Sequence, residues 1–289
     1  MSDRPDLRGK TVLITGASAG IGLEASAEIA AMGAEVVMVA RDRTRGETAL
    51  AEVRRRSGSG ALSLHLCDFS SQPQIRALAA EVRAAHPRLH LLVNNAGGVS
   101  SDRRETPDGI EQTFAVNHLG PFLLTNLLLE VLVQSAPARI VNVASTGHYR
   151  ATLDFDNLGY EKGGYFIMRA YARSKLANVI FTRDLARRLA GTGVTVTSLH
   201  PGAVATEIWA GAPTWARPAL AIAKHLFMIS PAEGASRIVY LATSPEVEGK
   251  SGGYYEKNVE RAPAKLAQDE AVAKRLWDAS VRLTGLAAL

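Results

Sequence analysis

The chain has 289 residues, of which 47% are hydrophobic and 21% are charged. That is enough to bury one large core, and α/β domains of this length are commonly undivided, so we expect a single domain over 1–289. The net charge of +5 permits an anionic partner, but the basic residues are spread along Ala/Arg-rich helices without an aromatic-interleaved basic tract, which argues against nucleic acid.

Cysteine content and hydropathy narrow the class further. Cys67 is the single cysteine; it ends an apolar run, so we expect a buried thiol and no internal disulfide. The start, MSDRPDLRGK, lacks the apolar core of a signal peptide, and no stretch reaches about 18 uninterrupted apolar residues. These features predict a cytoplasmic protein without stable membrane insertion. The run 219–229, ALAIAKHLFMI, is either a core helix or a membrane-surface helix, and its one lysine disfavours the surface.

Short β-branched runs alternate with longer helical patterns along the chain. The predicted strands are TVLITG (11–16), AEVVMVA (34–40), ALSLHLCD (61–68), LHLLVNN (89–95), ARIVNVAS (138–145), VTVTSLHPG (194–202) and GGYYEK (252–257). The predicted helices lie near 20–32, 44–56, 72–86, 108–134, 171–190 and 231–243. Thr44 and Glu47 have capping-box spacing, and Gly33 falls where a helix must end. This order predicts an α/β fold: a Rossmann-type, doubly wound parallel sheet of about seven strands with helices on both faces.

The first strand-to-helix turn, TGASAGIG, is rich in glycine. Gly16, Gly20 and Gly22 flank Ser18 and Ile21 between a strand and a helix. Glycines there let the backbone approach a pyrophosphate whose charge faces a helix N-terminus. The pattern favours a dinucleotide site over a plain tight turn.

The end of the second strand indicates which dinucleotide binds. An acid at this point would hold the ribose 2′-hydroxyl of NAD, whereas an arginine would accept the 2′-phosphate of NADP. Ala40 stands where the acid is expected, and Arg41 follows. NADP(H) is therefore predicted. Asp42 is interpreted as favourable charge at the next helix N-terminus, and Arg43 as solvent-facing.

A tyrosine and a lysine are four residues apart in AYARSKLANVIF. Tyr171 and Lys175 would therefore lie on one helix face. A free phenol titrates near pH 10, and an adjacent ammonium would lower that pKa toward neutrality. The pair predicts a general acid/base beside the bound dinucleotide.

Together these motifs resemble the short-chain dehydrogenase/reductase family over nearly the whole chain. TGASAGIG, the NNAG of 94–97, the Tyr171/Lys175 spacing and the HPG of 200–202 occur in the family's order. NHLGPFLLTNLLL, RIVNVAS, AYARSKLANVIF and RLWDASVRLTGL are similar to the retinol dehydrogenase-like branch, as is the long Ser145–Tyr171 interval. The resemblance implies a cofactor half of about 1–140 and a catalytic and substrate half of about 141–289.

The resemblance also implies the roles of particular residues. Asn117 would hold a proton-relay water, Ser145 would bind the substrate oxygen, Tyr171 would act as the acid/base, and Lys175 would also hold the nicotinamide ribose. Further implied cofactor contacts are Asp68, Phe69, Asn95, Ala96, Gly97, Pro201, Gly202 and Thr206, with no metal. His118 and His200 are interpreted as structural, and His148 either is a satisfied loop histidine, which we favour, or touches the substrate.

Aromatic residues mark the segments expected to cover the substrate. They are Tyr149, Phe155, Tyr160, Tyr165, Phe166, Trp209, Trp215 and Phe227. Without a charge cluster they favour a lipophilic ketone or aldehyde. The alternatives are a retinal/retinol-type or polycyclic natural-product oxidoreductase, including reduction of a carbon–carbon double bond, and a catalytically silent dinucleotide-binding regulator. A homodimer through helices near 113–134 and 171–190 is open, as is a monomer.

Overall fold

The apolar runs of the sequence lie side by side in one twisted sheet. A computed structural model of the chain describes residues 5–203 and 229–287. The strands are β1 (Thr11–Thr15), β2 (Glu35–Ala40), β3 (Leu62–Leu66), β4 (Leu91–Asn94), β5 (Ala138–Val143), β6 (Val194–His200), β7 (Tyr254–Glu256) and β8 (Val259–Arg261). Their order is β3-β2-β1-β4-β5-β6-β7-β8, parallel up to β7, with β8 antiparallel at the edge. The predicted Rossmann-type sheet is confirmed.

Helices cover both faces of this sheet. They are α1 (Gly20–Ala31), α2 (Arg43–Ser57), α3 (Gln72–Ala85), α4 (Gln112–Gln134), α5 (Ile167–Arg188), α6 (Pro231–Thr243) and α7 (Glu270–Thr284). One buried cluster joins α3, α4 and α5 to the sheet, and a second joins α1, α2 and α6 to the other face. Central strands are thus buried on both sides, which explains why they read as continuous apolar runs.

Helix boundaries depart from the sequence expectation at two points. Helix α2 begins at Arg43, and its N-cap is Asp42, whose carboxylate accepts from the Arg45 N–H at 2.8 Å. The predicted capping box of Thr44 and Glu47 is therefore wrong, while the assignment of Asp42 to the helix N-terminus is confirmed. Helix α5 begins at Ile167, one turn before Tyr171.

Two C-terminal elements are absent from the sequence prediction. Strand β8 closes a hairpin whose turn residues, Lys257 and Asn258, both have positive φ. Helix α7 has an Asp269 N-cap and ends at Gly285 in the left-handed region.

Helix α7 packs its apolar face on α4 and α5. The Trp277 ring lies 5.0 Å from Phe122 and 6.2 Å from Phe181, centroid to centroid, and the Arg188 guanidinium stacks 3.7 Å above the Trp277 ring. Part of the apolar surface considered for a homodimer is therefore covered by the same chain. The homodimer itself stays a prediction.

Helix α4 is long and apolar enough to span a membrane by length and composition. Of its most apolar window, 67% is buried inside the protein. Within the described residues it is the one helix that meets both criteria.

Candidate active site

Four predicted motifs meet at one edge of the sheet. The glycine turn follows β1, the NNAG loop follows β4, Ser145 follows β5, and the HPG motif begins at His200, the last residue of β6. These strands are parallel neighbours, so their carboxyl ends share this edge. The direction of strand order reverses between β1 and β4, where ligands of doubly wound sheets bind.

Packing explains two glycines of the first turn. Gly16 has φ +66°, which favours glycine. A Cβ at Gly22 would clash with the Gly16 carbonyl oxygen and lie 2.5 Å from Asn95 Nδ2. Ala19, the N-cap of α1, offers no side-chain acceptor, so the first N–H groups of α1 can donate to a phosphate.

Asn95 ties the glycine turn to the end of β4. Its Nδ2 donates to the Thr15 oxygen at 2.8 Å and to the Gly16 oxygen at 3.2 Å. Thr15 Oγ1 accepts from the N–H groups of Asn95 and Ala96, both at 2.9 Å. The predicted cofactor residue Asn95 therefore positions the turn through its side chain. Ala96 and Gly97 continue this loop toward Lys175, since a Cβ at Gly97 would lie 3.6 Å from Nζ.

The charged residues after β2 lie in different surroundings. Arg41 follows the buried Ala40 and is exposed at the same sheet edge. Arg43 pairs with Glu47 at 3.5 Å on the exposed side of α2. Because Asp42 caps α2, its carboxylate is engaged at the helix N-terminus, and the role of Arg41 toward a 2′-phosphate stays a prediction.

Lys175 is buried and points back at the sheet. Its Nζ donates to the Val143 carbonyl oxygen at 2.8 Å and lies 5.7 Å from the centroid of the Tyr171 ring. Burial lowers the pKa of this ammonium to about 8. Lys175 is therefore a buried cation beside the phenol, and its pKa is close to neutral pH.

Tyr171 and Ser145 are joined by a side-chain hydrogen bond. Burial raises the pKa of the Tyr171 phenol, and its hydrogen bond with the Ser145 side chain opposes that rise. The prediction that Lys175 lowers the pKa of Tyr171 is not confirmed, because burial is the largest effect and shifts this pKa upward. Ser145 Oγ also accepts from the Gly147 N–H at 3.2 Å, which holds the hydroxyl at the end of β5.

Asn117 lies in a π-helical turn, Ala115–Leu119, within α4. Its Oδ1 accepts from the Gly98 N–H at 2.8 Å, and its Nδ2 donates to the Gly98 oxygen at 2.9 Å and to Ser174 Oγ at 3.0 Å. The Asn117 side chain thus connects the loop after β4 to α5, the helix that contains Tyr171 and Lys175 and is called the catalytic helix below. Its water-holding role stays a prediction. π turns occur frequently at functional sites.

Several buried polar residues that align α5 were missed in the sequence. Asn178 Nδ2 donates to the Asn117 carbonyl oxygen at 2.8 Å, and Ser174 meets the Asn117 side chain. Asn142 bridges Asn94 at 2.8 Å and Thr182 at 2.9 Å. The available signal was the polar spacing Ser174, Asn178 and Thr182 on the face of Lys175.

The structural interpretation of two histidines is confirmed. His118 is buried between Asn178 (3.3 Å) and Ser280 (3.0 Å), and burial lowers its pKa to about 4. His148 Nδ1 donates to the Ser145 carbonyl oxygen at 2.7 Å, and its Nε2 accepts from the Ala264 N–H at 3.2 Å. For His200, burial lowers the pKa to about 4.

Four more of the predicted cofactor residues are described by the structure, namely Asp68, Phe69, Pro201 and Gly202. The Asp68 carboxylate accepts from the Ser70 N–H at 2.9 Å, and the Phe69 side chain is buried in the core. Pro201 is buried. Gly202 has φ +102°, and a Cβ at this position would lie only 2.7 Å from Arg237 Nη1. Thr206 lies outside the described residues, as do Trp209, Trp215 and Phe227.

The aromatic segment before α5 is not purely a substrate cover. Tyr160 is stacked under the Arg173 guanidinium at 3.9 Å, and Phe155 under that of Arg275 at 4.3 Å. Both rings therefore have arginine partners within the protein, and their contact with the substrate stays a prediction. Phe166 stays 55% exposed at the start of α5.

Comparisons with known proteins agree with this geometry. The family model for short chain dehydrogenases matches residues 10–217. The chain is 44% identical to human retinol dehydrogenase 14 (97% of this chain, 88% of that protein) and 41% identical to human retinol dehydrogenase 13 (97% and 86%).

Solved structures give the same likeness. A crystal structure of an uncharacterized protein from Mycobacterium paratuberculosis superposes with a TM-score of 0.80 at 29% identity, covering 98% of this chain and 96% of that one. The Pseudomonas aeruginosa RhlG/NADP active-site complex superposes with a TM-score of 0.70 at 26% identity, covering 87% and 96%.

Proposed function

Because the chain belongs to the short-chain dehydrogenase/reductase family, in its retinol dehydrogenase-like branch, we propose that it reduces a lipophilic ketone or aldehyde reversibly with NADPH. The observation that carries this proposal is the hydrogen-bonded pair of Ser145 and Tyr171, with Lys175 beneath the phenol. A binding module has no need for this buried set.

Choice of NADPH rests on the sheet edge. The uncapped start of α1 suits the pyrophosphate, and exposed Arg41 suits the 2′-phosphate. When bound, NADPH supplies the hydride. The related RhlG structure, an NADP complex, supports the same cofactor class.

The protein's own groups handle the proton. Ser145 donates to the substrate oxygen and fixes its position beside Tyr171. The raised pKa of the Tyr171 phenol keeps its proton available for donation as the oxygen becomes an alkoxide. The Lys175 ammonium stabilises the phenolate that results, and Asn117 fixes the helix that carries Tyr171 and Lys175. In the reverse direction the phenolate form of Tyr171 accepts the alcohol proton.

Exposed apolar side chains at the start of α5 support the proposed substrate class. Phe166 and Met168, at the start of α5, are 55% and 44% exposed. Met168 lies three residues before Tyr171 and therefore on the same helix face. Similarity to retinol dehydrogenases 13 and 14 supports a retinal-type aldehyde among the candidates. Polycyclic ketones and double-bond reduction are separated from it by product analysis.

A screen of lipophilic ketones and aldehydes tests the proposal. NADPH loss is followed by absorbance, and the alcohol is identified by chromatography. Turnover of at least one carbonyl is expected. Dinucleotide binding without turnover of any carbonyl would favour the silent regulator. The cytoplasmic location stays a prediction.

A further inference from the structure

The segment 151–166, here called the bridging segment, joins the turn after Ser145 to the catalytic helix. It has no regular strand or helix, so its path depends on side-chain contacts. Its last residue, Phe166, is the N-cap of α5, and Met168 follows two residues later. The segment therefore leads directly into the exposed apolar side chains at the start of α5.

Arg173 holds the bridging segment from the catalytic helix. Its Nη1 donates to the carbonyl oxygens of Asn157 at 2.6 Å and Leu158 at 2.8 Å, and its Nε to that of Thr152 at 3.4 Å. Arg173 is only 6% exposed, and no carboxylate among the described residues forms an ion pair with it. A buried cation needs hydrogen-bond partners that offset its loss of water. The Arg173 guanidinium therefore depends on these carbonyl oxygens, and they depend on it.

Arg103 holds the next carbonyl from the opposite side. It lies in the loop between β4 and α4, and its Nε donates to the Gly159 oxygen at 2.8 Å, while Nη2 pairs with Glu105 at 2.9 Å. The three successive carbonyls of 157–159 are thus bound by two arginines. One arginine belongs to the catalytic helix, and the other belongs to the loop that follows the cofactor-side NNAG motif.

Tyr160 and Tyr165 complete the attachment. Tyr160 has φ +59°, a conformation that costs a non-glycine residue about 1 kcal/mol or more and persists only when surroundings fix it. Its ring is covered by Arg173 at 3.9 Å and meets Tyr165 edge-on at 5.5 Å. Tyr165 donates its hydroxyl to the Ser100 carbonyl oxygen at 2.7 Å.

We propose that Arg103 and Arg173 are positioning residues that fix the bridging segment as a preformed wall for the apolar part of the substrate. Neither arginine touches the reacting atoms; both act through the backbone of 157–159 on Phe166 and Met168. This inference rests on the proposed function, since it assigns the wall to the carbonyl substrate.

The test replaces each arginine by lysine. A lysine keeps the charge but loses the planar fork that binds two carbonyls and stacks on an aromatic ring. In Arg173→Lys we expect KM for the best lipophilic carbonyl to rise about tenfold or more, with kcat changed less than about threefold and the dissociation constant of NADPH unchanged. Arg103→Lys is expected to move KM in the same direction by less, because its side chain is more exposed.

The rate of limited trypsin cleavage measures how firmly the bridging segment is held, and it needs no carbonyl substrate. Lys162 is exposed within the bridging segment, so loosening should speed cleavage there about tenfold in Arg173→Lys. Arg183→Lys is the matched control: Arg183 lies on the same helix, donates to Gly252 at 3.4 Å and is remote from the segment. It should match the wild type.

Unchanged cleavage at Lys162 in both lysine variants would overturn the proposal, as would a loss of kcat and NADPH affinity that equals the rise in KM. If the wild type reduces no carbonyl, the proposed function fails, while the cleavage comparison still decides whether the arginines fix the segment.

Discussion

The Lys175 ammonium donates to the carbonyl oxygen of Val143, 2.8 Å away, at the end of the strand that precedes Ser145. This bond joins the catalytic helix to the sheet edge. It fixes Nζ below Tyr171, but it places the charge in a buried site, and burial lowers the lysine pKa from 10.5 to about 8. The cation is therefore kept at a position that disfavours its charge.

Replacing Lys175 by methionine should abolish turnover and change the pH dependence of stability. Between pH 8 and 10.5 the unfolded wild type binds more protons at this lysine than the folded protein, so its contribution to the free energy of unfolding rises with pH. Below pH 8 the penalty of the buried charge is fully present. In denaturant unfolding across this range, the free energy of unfolding of the wild type should increase relative to that of Lys175→Met by up to about 1.4 kcal/mol per pH unit. Parallel curves would contradict the buried cation.

Arg41→Ala should discriminate between the two dinucleotides. Loss of a charge-assisted phosphate contact costs about 1.5 to 3 kcal/mol, which corresponds to a roughly 10- to 150-fold rise in KM for NADPH. KM for NADH should hardly change. Arg43→Ala is the control, since Arg43 pairs with Glu47 in solvent. Equal effects on both dinucleotides would remove the 2′-phosphate assignment.

Gly22→Ala should destabilise the fold rather than only weaken cofactor binding. The new methyl would clash with the Gly16 carbonyl and Asn95 Nδ2, and such overpacking costs about 1 to 3 kcal/mol. Gly60→Ala is the matched control, because a Cβ there meets nothing within 4 Å; its free energy of unfolding should change by less than about 1 kcal/mol. Equal unfolding midpoints for the two variants would show that the turn has room.

The sheet and the motifs that meet at its edge could be predicted because their signals are local. Buried strands such as Val36 to Ala40 read as apolar runs, and the glycine turn, Tyr171 and Lys175 follow fixed spacings. Strand β8 could not be predicted in this way, because Val259–Arg261 is exposed on all residues and shows no apolar pattern.

The contacts that hold the bridging segment could not be predicted from the sequence either. The partners of Arg173 are backbone carbonyls, whose positions depend on the path of 151–166 and leave no trace in residue types. Likewise, the direction of the Tyr171 pKa depends on how deeply the phenol is buried. Spacing to Lys175 carries no information about burial.

Tyr171→Phe tests the central claim most directly, because it removes the phenolic oxygen and leaves the ring. With a carbonyl that the wild type reduces, steady-state NADPH oxidation should fall by about 10² to 10⁴, while NADPH binding, measured by fluorescence titration, stays within about twofold. Tyr240→Phe is the matched control and should retain turnover, since it removes a phenolic oxygen that bonds Glu246 at 2.8 Å on α6. Carbonyl reduction by Tyr171→Phe at the wild-type rate would contradict the account.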